Sequence, residues 1–317
     1  MVVVLGGSAG ATFAVLRSHA PSAAATSNKM DPQTQPPDPP ADWCAPGFEP
    51  VEGGGCIAAS RMALKPQPLI VYLHGRYARD AAGEETDRQR RLGAHANARG
   101  FAVLALRGML GACTAAELAN WFCWPSNERN ADAAPIFVEG WARALAAAEQ
   151  RAGQSPERFL LGFSNGGYFA GLIASRGLLR VDAIVIAHGG PIEPVYAQGG
   201  KPPLLLLSAD EDVAQDEMLR LDEDLTREHW PHDSDARDGG HGLSDEDIEA
   251  AVTFFSRAKE PIPLRPPLAL HRAVHHARTV DANAEELTND SDEAEAPQSA
   301  TPQAPQDETP DEVASEY

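Results

Sequence analysis

The chain reads as an α/β protein, a mostly parallel sheet covered by helices on both faces. Three observations predict this. Short apolar runs recur along its middle: Leu69–Leu73, Phe101–Leu106, Phe159–Leu161, Val181–Ala187 and Leu204–Leu207. Stretches of helical composition separate them, and alternation of this kind builds a parallel sheet with crossover helices. Chemistry-bearing residues fall just past the runs, at the strand carboxyl ends where open α/β sheets bind ligands.

The elements follow in order. Val2 to Leu16 is mostly apolar, and Ala23-Ala24-Ala25 resembles a cleavage site, although no Lys or Arg precedes the apolar run. Residues 1–25 are therefore expected to act as a signal peptide or a weak membrane attachment. Residues 26–41 form a proline-rich linker with nothing to build a core. The folded domain is expected over 42–260, its first part (42–60) a small module closed by cysteines, with few strands before Leu69. Helices are expected at Glu84–Arg99, Val138–Arg151, Tyr168–Ser175, Glu217–His229 and Leu243–Lys259. Residues 108–135 are a long excursion carrying Cys113, Cys123, Trp121, Phe122 and Trp124. From 261 the chain turns proline-rich and then acidic, and disorder is expected to 317.

The formal charge is −20 over 317 residues, but twelve acidic residues and no Lys or Arg lie from Thr279 onward, leaving −8 for the rest. Acidity belongs to a tail, and no clustered basic surface suggests nucleic acid as a partner. The four cysteines fall as two close pairs, Cys44/Cys56 and Cys113/Cys123, without the C-x-x-C spacing of zinc or redox sites. Four cysteines allow three connectivities, or four buried thiols; two local disulfides are expected in an exported protein, secreted or held in the cell envelope. Each closed loop of this size is worth roughly 3 kcal/mol in the chain-entropy model.

One stretch carries the chemistry. The apolar run Phe159–Leu161 leads into Gly162-Phe163-Ser164-Asn165-Gly166, a G-x-S-x-G pattern, and an apolar helical stretch follows. Strand, sharp turn and helix are the setting of a nucleophile elbow, in which Ser164 stands clear of the sheet. A serine hydroxyl needs a base within hydrogen-bond reach. His241, in Gly239-Gly240-His241-Gly242, is the candidate base. Asp212 after the Leu204–Leu207 strand is the candidate acid that orients it, with Asp210 as the rival. The backbone N–H groups of Asn165 and Arg76 are the candidate oxyanion donors. His74, Tyr77, His188, Trp121 and Trp124 are candidate pocket residues, His74 more as a loop holder than a base. Trp121 and Trp124 serve equally well as packing around the cysteine loop. His271, His275 and His276 fall in the tail, where a site is not expected. No metal or cofactor is called for.

At Leu73-His74-Gly75, Arg99-Gly100-Phe101, Gly162-Phe-Ser-Asn-Gly-Gly167 and Gly240-His241-Gly242 the chain resembles the α/β-hydrolases, in their esterase and polyhydroxybutyrate-depolymerase-like branch with its feruloyl-esterase relatives. The Ser…Asp…His order is theirs too. The resemblance spans about Leu69 to Ser256. It implies hydrolysis of a small-molecule or polymeric ester, less often a thioester, through an acyl-enzyme. Two departures stand beside it: the first strand pair is not evident, and His74-Gly75 continues with Arg76-Tyr77 instead of further glycines. Two other functions are consistent with the residues, a binding or surface protein on a hydrolase scaffold and a serine peptidase of the same fold. No protein partner is implied.

Overall fold

A computed structural model describes residues 43–195 and 200–258. The expected signal segment (1–25), the linker (26–41) and the tail (261–317) with its three histidines lie outside these residues.

Eight strands form the main sheet: β1 (Glu49–Val51), β2 (Gly55–Ala58), β3 (Leu69–Leu73), β5 (Ala102–Leu106), β8 (Arg158–Phe163), β9 (Ala183–Ala187), β10 (Leu204–Ala209) and β11 (His232–Arg237). Their order is β1-β2-β5-β3-β8-β9-β10-β11. From β5 onward every neighbour is parallel, while β1–β2 and β2–β5 are antiparallel. Alternate strand residues face opposite sides. Leu69, Val71 and Leu73 join a core with α2 (Ala134–Gly140), α3 (Ala142–Arg151), α4 (Asn165–Arg176) and α5 (Gln215–Arg227). Ile70 and Tyr72 join the opposite core, packed by α1 (Gly83–Ala98) and α6 (Asp245–Ser256). The central strands are buried on both faces, which is why they read as continuous apolar runs.

Three features differ from the sequence expectation. The first strand pair is present: β1 and β2 turn on Gly53 and Gly54, both at positive φ, and segment 43–58 is part of the main sheet's edge. These strands are three and four residues long, too short to give a periodic signal. β11 extends the other edge although its sequence is His-Asp-Ser-Asp-Ala-Arg. An edge strand benefits from such charge, because it discourages pairing with other chains. The helix expected at Val138–Arg151 is two helices broken at Trp141, whose buried ring packs against Trp124 and Phe169.

β6 (Met109–Leu110) and β7 (Trp121–Cys123) of the excursion make a small antiparallel sheet with β4 (Tyr77–Ala78), which follows β3. The disulfide Cys113–Cys123 closes it, and Cys44–Cys56 ties the N-terminal segment to β2. All four cysteines are thus paired as expected.

Glu85 on α1 is fully buried and accepts hydrogen bonds from Arg88 (3.1 Å), Gln89 (3.4 Å) and the Tyr72 hydroxyl (3.4 Å). Burial outweighs these partners and pushes its pKa from 4.5 up to about 7. A carboxyl raised on folding adds stability that is complete below its unfolded pKa and lost as pH rises through the folded one. The cost over that window is on the order of 3 kcal/mol. Glu85→Gln should therefore flatten this part of the pH dependence and be relatively more stable than the parent in mildly alkaline buffer. Urea midpoints across the window check this, and parallel curves for the two proteins would contradict it.

Candidate active site

The site begins with a backbone conformation. Ser164 has φ 52° and ψ −119°, a strained region for a residue with a side chain, and it joins β8 to α4. Its N–H donates to the Ala187 carbonyl (2.8 Å), and its own carbonyl accepts from Tyr168 N–H (3.0 Å). The turn closes only because its neighbours lack side chains. A Cβ on Gly162 would lie 2.3 Å from the Gly166 carbonyl oxygen, and one on Gly166 would lie 2.2 Å from the Leu73 carbonyl oxygen. Helix, strand and turn are packed backbone to backbone, so the G-x-S-x-G pattern is a steric requirement here.

His241 stands over the turn. Its Nε2 is 2.7 Å from Ser164 Oγ, and its Nδ1 is 2.7 Å from Asp212 Oδ1. The carboxylate fixes the tautomer: Nδ1–H donates to Asp212, so Nε2 is free to accept from the serine hydroxyl. Asp212 Oδ1 also accepts from Ala214 N–H (2.8 Å). Burial works to raise the Asp212 pKa, but this backbone donor together with His241 and His188 holds it below the ordinary value. Asp210 points elsewhere. Its Oδ1 accepts from Gly239 N–H (2.9 Å), anchoring the loop that carries His241.

The loop His74–Gly75–Arg76 meets the turn from β3. His74 is fully buried, its Nδ1–H donates to the Gly75 carbonyl (2.5 Å) and its Nε2 accepts from Gly108 N–H (2.8 Å). Burial lowers its pKa to about 3, so it is a neutral brace. A Cβ on Gly75 would lie 3.2 Å from Ser164 Cβ, a measure of how closely this loop approaches the serine. Asn165 links the site to the excursion: its side-chain carbonyl accepts from Trp124 N–H (2.8 Å) and its amide donates to Ser126 Oγ. As the first residue of α4, Asn165 has a backbone N–H with no acceptor inside the helix.

A cavity of about 310 Å³ opens onto Ser164 and His241. The excursion walls it with the Cys113–Cys123 pair, Leu118 and Trp124, and Arg76, Tyr168 and Val213 complete the opposite side. Of the expected pocket residues, Trp124 lines this cavity while His74, Tyr77, His188 and Trp121 do not. The reason is depth. His74 and Tyr77 form a buried aromatic layer behind the loop, where Tyr77 stacks on Phe122. Trp121 lies along β7, and His188 lies behind Asp212. Trp124 both packs and lines, since its ring stacks on Phe169 and its indole N–H donates to the His74 carbonyl (2.9 Å). Tyr168, Ser126 and Val213 were not singled out from sequence. Only Tyr168, one helical turn from Ser164, had a positional signal.

His188, Asp212 and His241 are the one group among the described residues whose ligand atoms, within 4.8 Å of one another, could gather on a metal ion. Those atoms are already engaged: Asp212 offers one oxygen to each imidazole. The arrangement is a hydrogen-bonded network.

The strand order, the antiparallel second strand and the serine at the β8–α4 turn define the α/β-hydrolase fold. No protein-family model matches the chain, and no curated protein does. Among solved structures it is similar to the Bacillus cereus carboxylesterase, with 16% identity and a TM-score of 0.49 over 64% of this chain and 93% of that one. Arabidopsis thaliana SOBER1 gives 16% and 0.49 over 61% and 100%, and esterase PE8 gives 18% and 0.48 over 65% and 98%.

The steric reading of the turn is testable on stability alone. Gly166→Ala should lose cooperative thermal unfolding or soluble yield. Gly242→Ala, whose Cβ would meet nothing within 4 Å, should stay within about 0.5 kcal/mol of the parent. Equal Tm values for the two variants would contradict that reading.

Proposed function

We propose that the chain is a serine hydrolase that cleaves carboxylic esters through an acyl-enzyme, with Ser164 as nucleophile, His241 as base and Asp212 as the orienting acid. The observation that carries this reading is the unbroken run of hydrogen bonds from Ser164 Oγ through His241 to Asp212, at 2.7 Å in each link. His241 takes the hydroxyl proton at Nε2 as Oγ bonds to the acyl carbon. The carbonyl oxygen, now an oxyanion, is met by the backbone N–H groups of Asn165 and Arg76, each such donor being worth about 10²–10³ in rate. Collapse of the tetrahedral adduct breaks the ester C–O bond, and the alcohol leaves with the proton from His241. Water, deprotonated by the same imidazole, then releases the acid and restores Ser164.

The cavity volume lies near the lower end for small-molecule sites and suits a short acyl or alcohol group, or the end of a polymeric ester. The polyhydroxybutyrate-depolymerase-like and feruloyl-esterase branch belongs to this proposal, as does export to the cell envelope or medium. The two disulfides support export. Among the described residues no helix is long and apolar enough to cross a membrane.

Ser164→Ala should lower kcat on an aryl ester by as much as about 10⁶. Asp212→Asn should cost about 10⁴, because the amide disturbs the imidazole tautomer, and Asp210→Asn far less. Turnover should survive exhaustive chelation. Wild-type turnover in Ser164→Ala, or a larger loss for Asp210→Asn than for Asp212→Asn, would overturn the assignment.

A further inference from the structure

His188 follows β9 at a positive φ of 54°, and its N–H donates to the Leu207 carbonyl (2.9 Å). The residue is 1% exposed and touches no part of the cavity. Its two ring nitrogens face two different carboxylates: Nδ1 is 2.5 Å from Asp212 Oδ2, and Nε2 is 3.3 Å from Asp247 Oδ2. A neutral imidazole has one N–H and one lone pair, so one of these contacts would set lone pair against lone pair. The geometry is satisfied by an imidazolium donating both ways.

Asp247 is itself anchored. It is the third residue of α6, and its Oδ2 accepts from the Ser244 N–H (2.9 Å) and hydroxyl (2.7 Å) in a capping box. Its Oδ1 is 3.3 Å from an Arg237 guanidinium nitrogen on β11. One oxygen of Asp212 is thus tied through His188 to α6 and β11, and the other meets His241 and the Ala214 N–H.

We propose that His188 is a positioning residue, a cationic clamp that fixes the Asp212 carboxylate between His241 and Asp247 and balances the charge behind the triad. This inference rests on the triad reading above.

The groups facing His188 account for its charge. Asp212 comes from the loop after β10, Asp247 from α6, and the His241 ring lies 5.9 Å away. From β8 the Phe163 ring packs edge-on, with Arg88 of α1 over that ring. Arg237 reaches the cluster through Asp247. Burial acts to lower the His188 pKa, but Asp247 and Asp212 outweigh it and hold it above the ordinary value. The stability this charge adds is therefore complete below the unfolded pKa and lost as pH rises through the raised folded one.

The sign for catalysis follows. A cation beside Asp212 opposes a second positive charge on the neighbouring His241 ring. Removing that cation leaves Asp212 a stronger attractor for a proton on His241, so the acid limb of the rate profile moves to higher pH.

The test is the pH profile of kcat and KM for an aryl ester in the full chain, for the parent, His188→Asn and Asp247→Asn. Asp247→Asn retains an oxygen for the helix cap and leaves His188 in place. We expect His188→Asn to lose up to about 100-fold in kcat near neutrality, the scale of a misplaced catalytic group. KM should stay within about twofold, as for an interaction made chiefly in the transition state. Part of the loss should return in alkaline buffer as the acid limb shifts, and Asp247→Asn should shift it the same way by less. An unmoved acid limb in a folded His188→Asn protein would overturn the clamp. If His188→Asn does not fold, an unmoved limb in Asp247→Asn does so instead. A readout free of activity separates the two proposals: in imidazole nitrogen NMR of the native chain, His188 should remain doubly protonated through neutral pH. A neutral His188 sinks the clamp, whereas native protein that hydrolyses no ester sinks the triad reading and leaves the NMR result standing.

Discussion

Asp212 is a carboxylate whose side chain is out of water, and the geometry around it follows from that fact. A buried anion is tolerated only where donors surround it. Here the donors are three: the Ala214 backbone N–H, His241 on its loop, and His188 after β9, whose other ring nitrogen faces Asp247 in the cap of α6. The same contacts that solvate the charge also fix His241 over Ser164. Satisfying a buried anion and orienting a base are one structural problem with one solution.

The serine side of the site rests on a different constraint, close backbone packing. Gly162 and Gly166 let β8 and α4 press against each other and against the end of β3, which holds Ser164 at its positive φ. His74, held neutral by burial, braces the adjoining loop by accepting from Gly108. The excursion then covers this frame. Its disulfide, the Trp124 indole bonded to His74 and the Asn165 amide bonded to Trp124 and Ser126 make the cavity wall an extension of the same network.

Much of this was legible in the sequence, because the central strands are apolar on both faces and the serine turn has a steric signature. Ser164, Asp212 and His241 come together as the chain order suggested. The strand pair before Leu69 was hidden by its brevity and β11 by its polar edge composition. Pocket residues were legible only in part, since depth is not written in a motif. His74, Tyr77, Trp121 and His188 flank the right loops but lie away from the cavity. Nothing local marked Asp247, because His188 reaches it from 59 residues away.

The central claim is an activated serine at the β8–α4 turn, and covalent labelling by a fluorophosphonate probes it most directly. Native, oxidised protein should take up one probe, and Ser164→Ala, folded to the same circular dichroism spectrum, should take up none. A native chain that stays unlabelled, or a variant that labels as fully as the parent, would contradict the account.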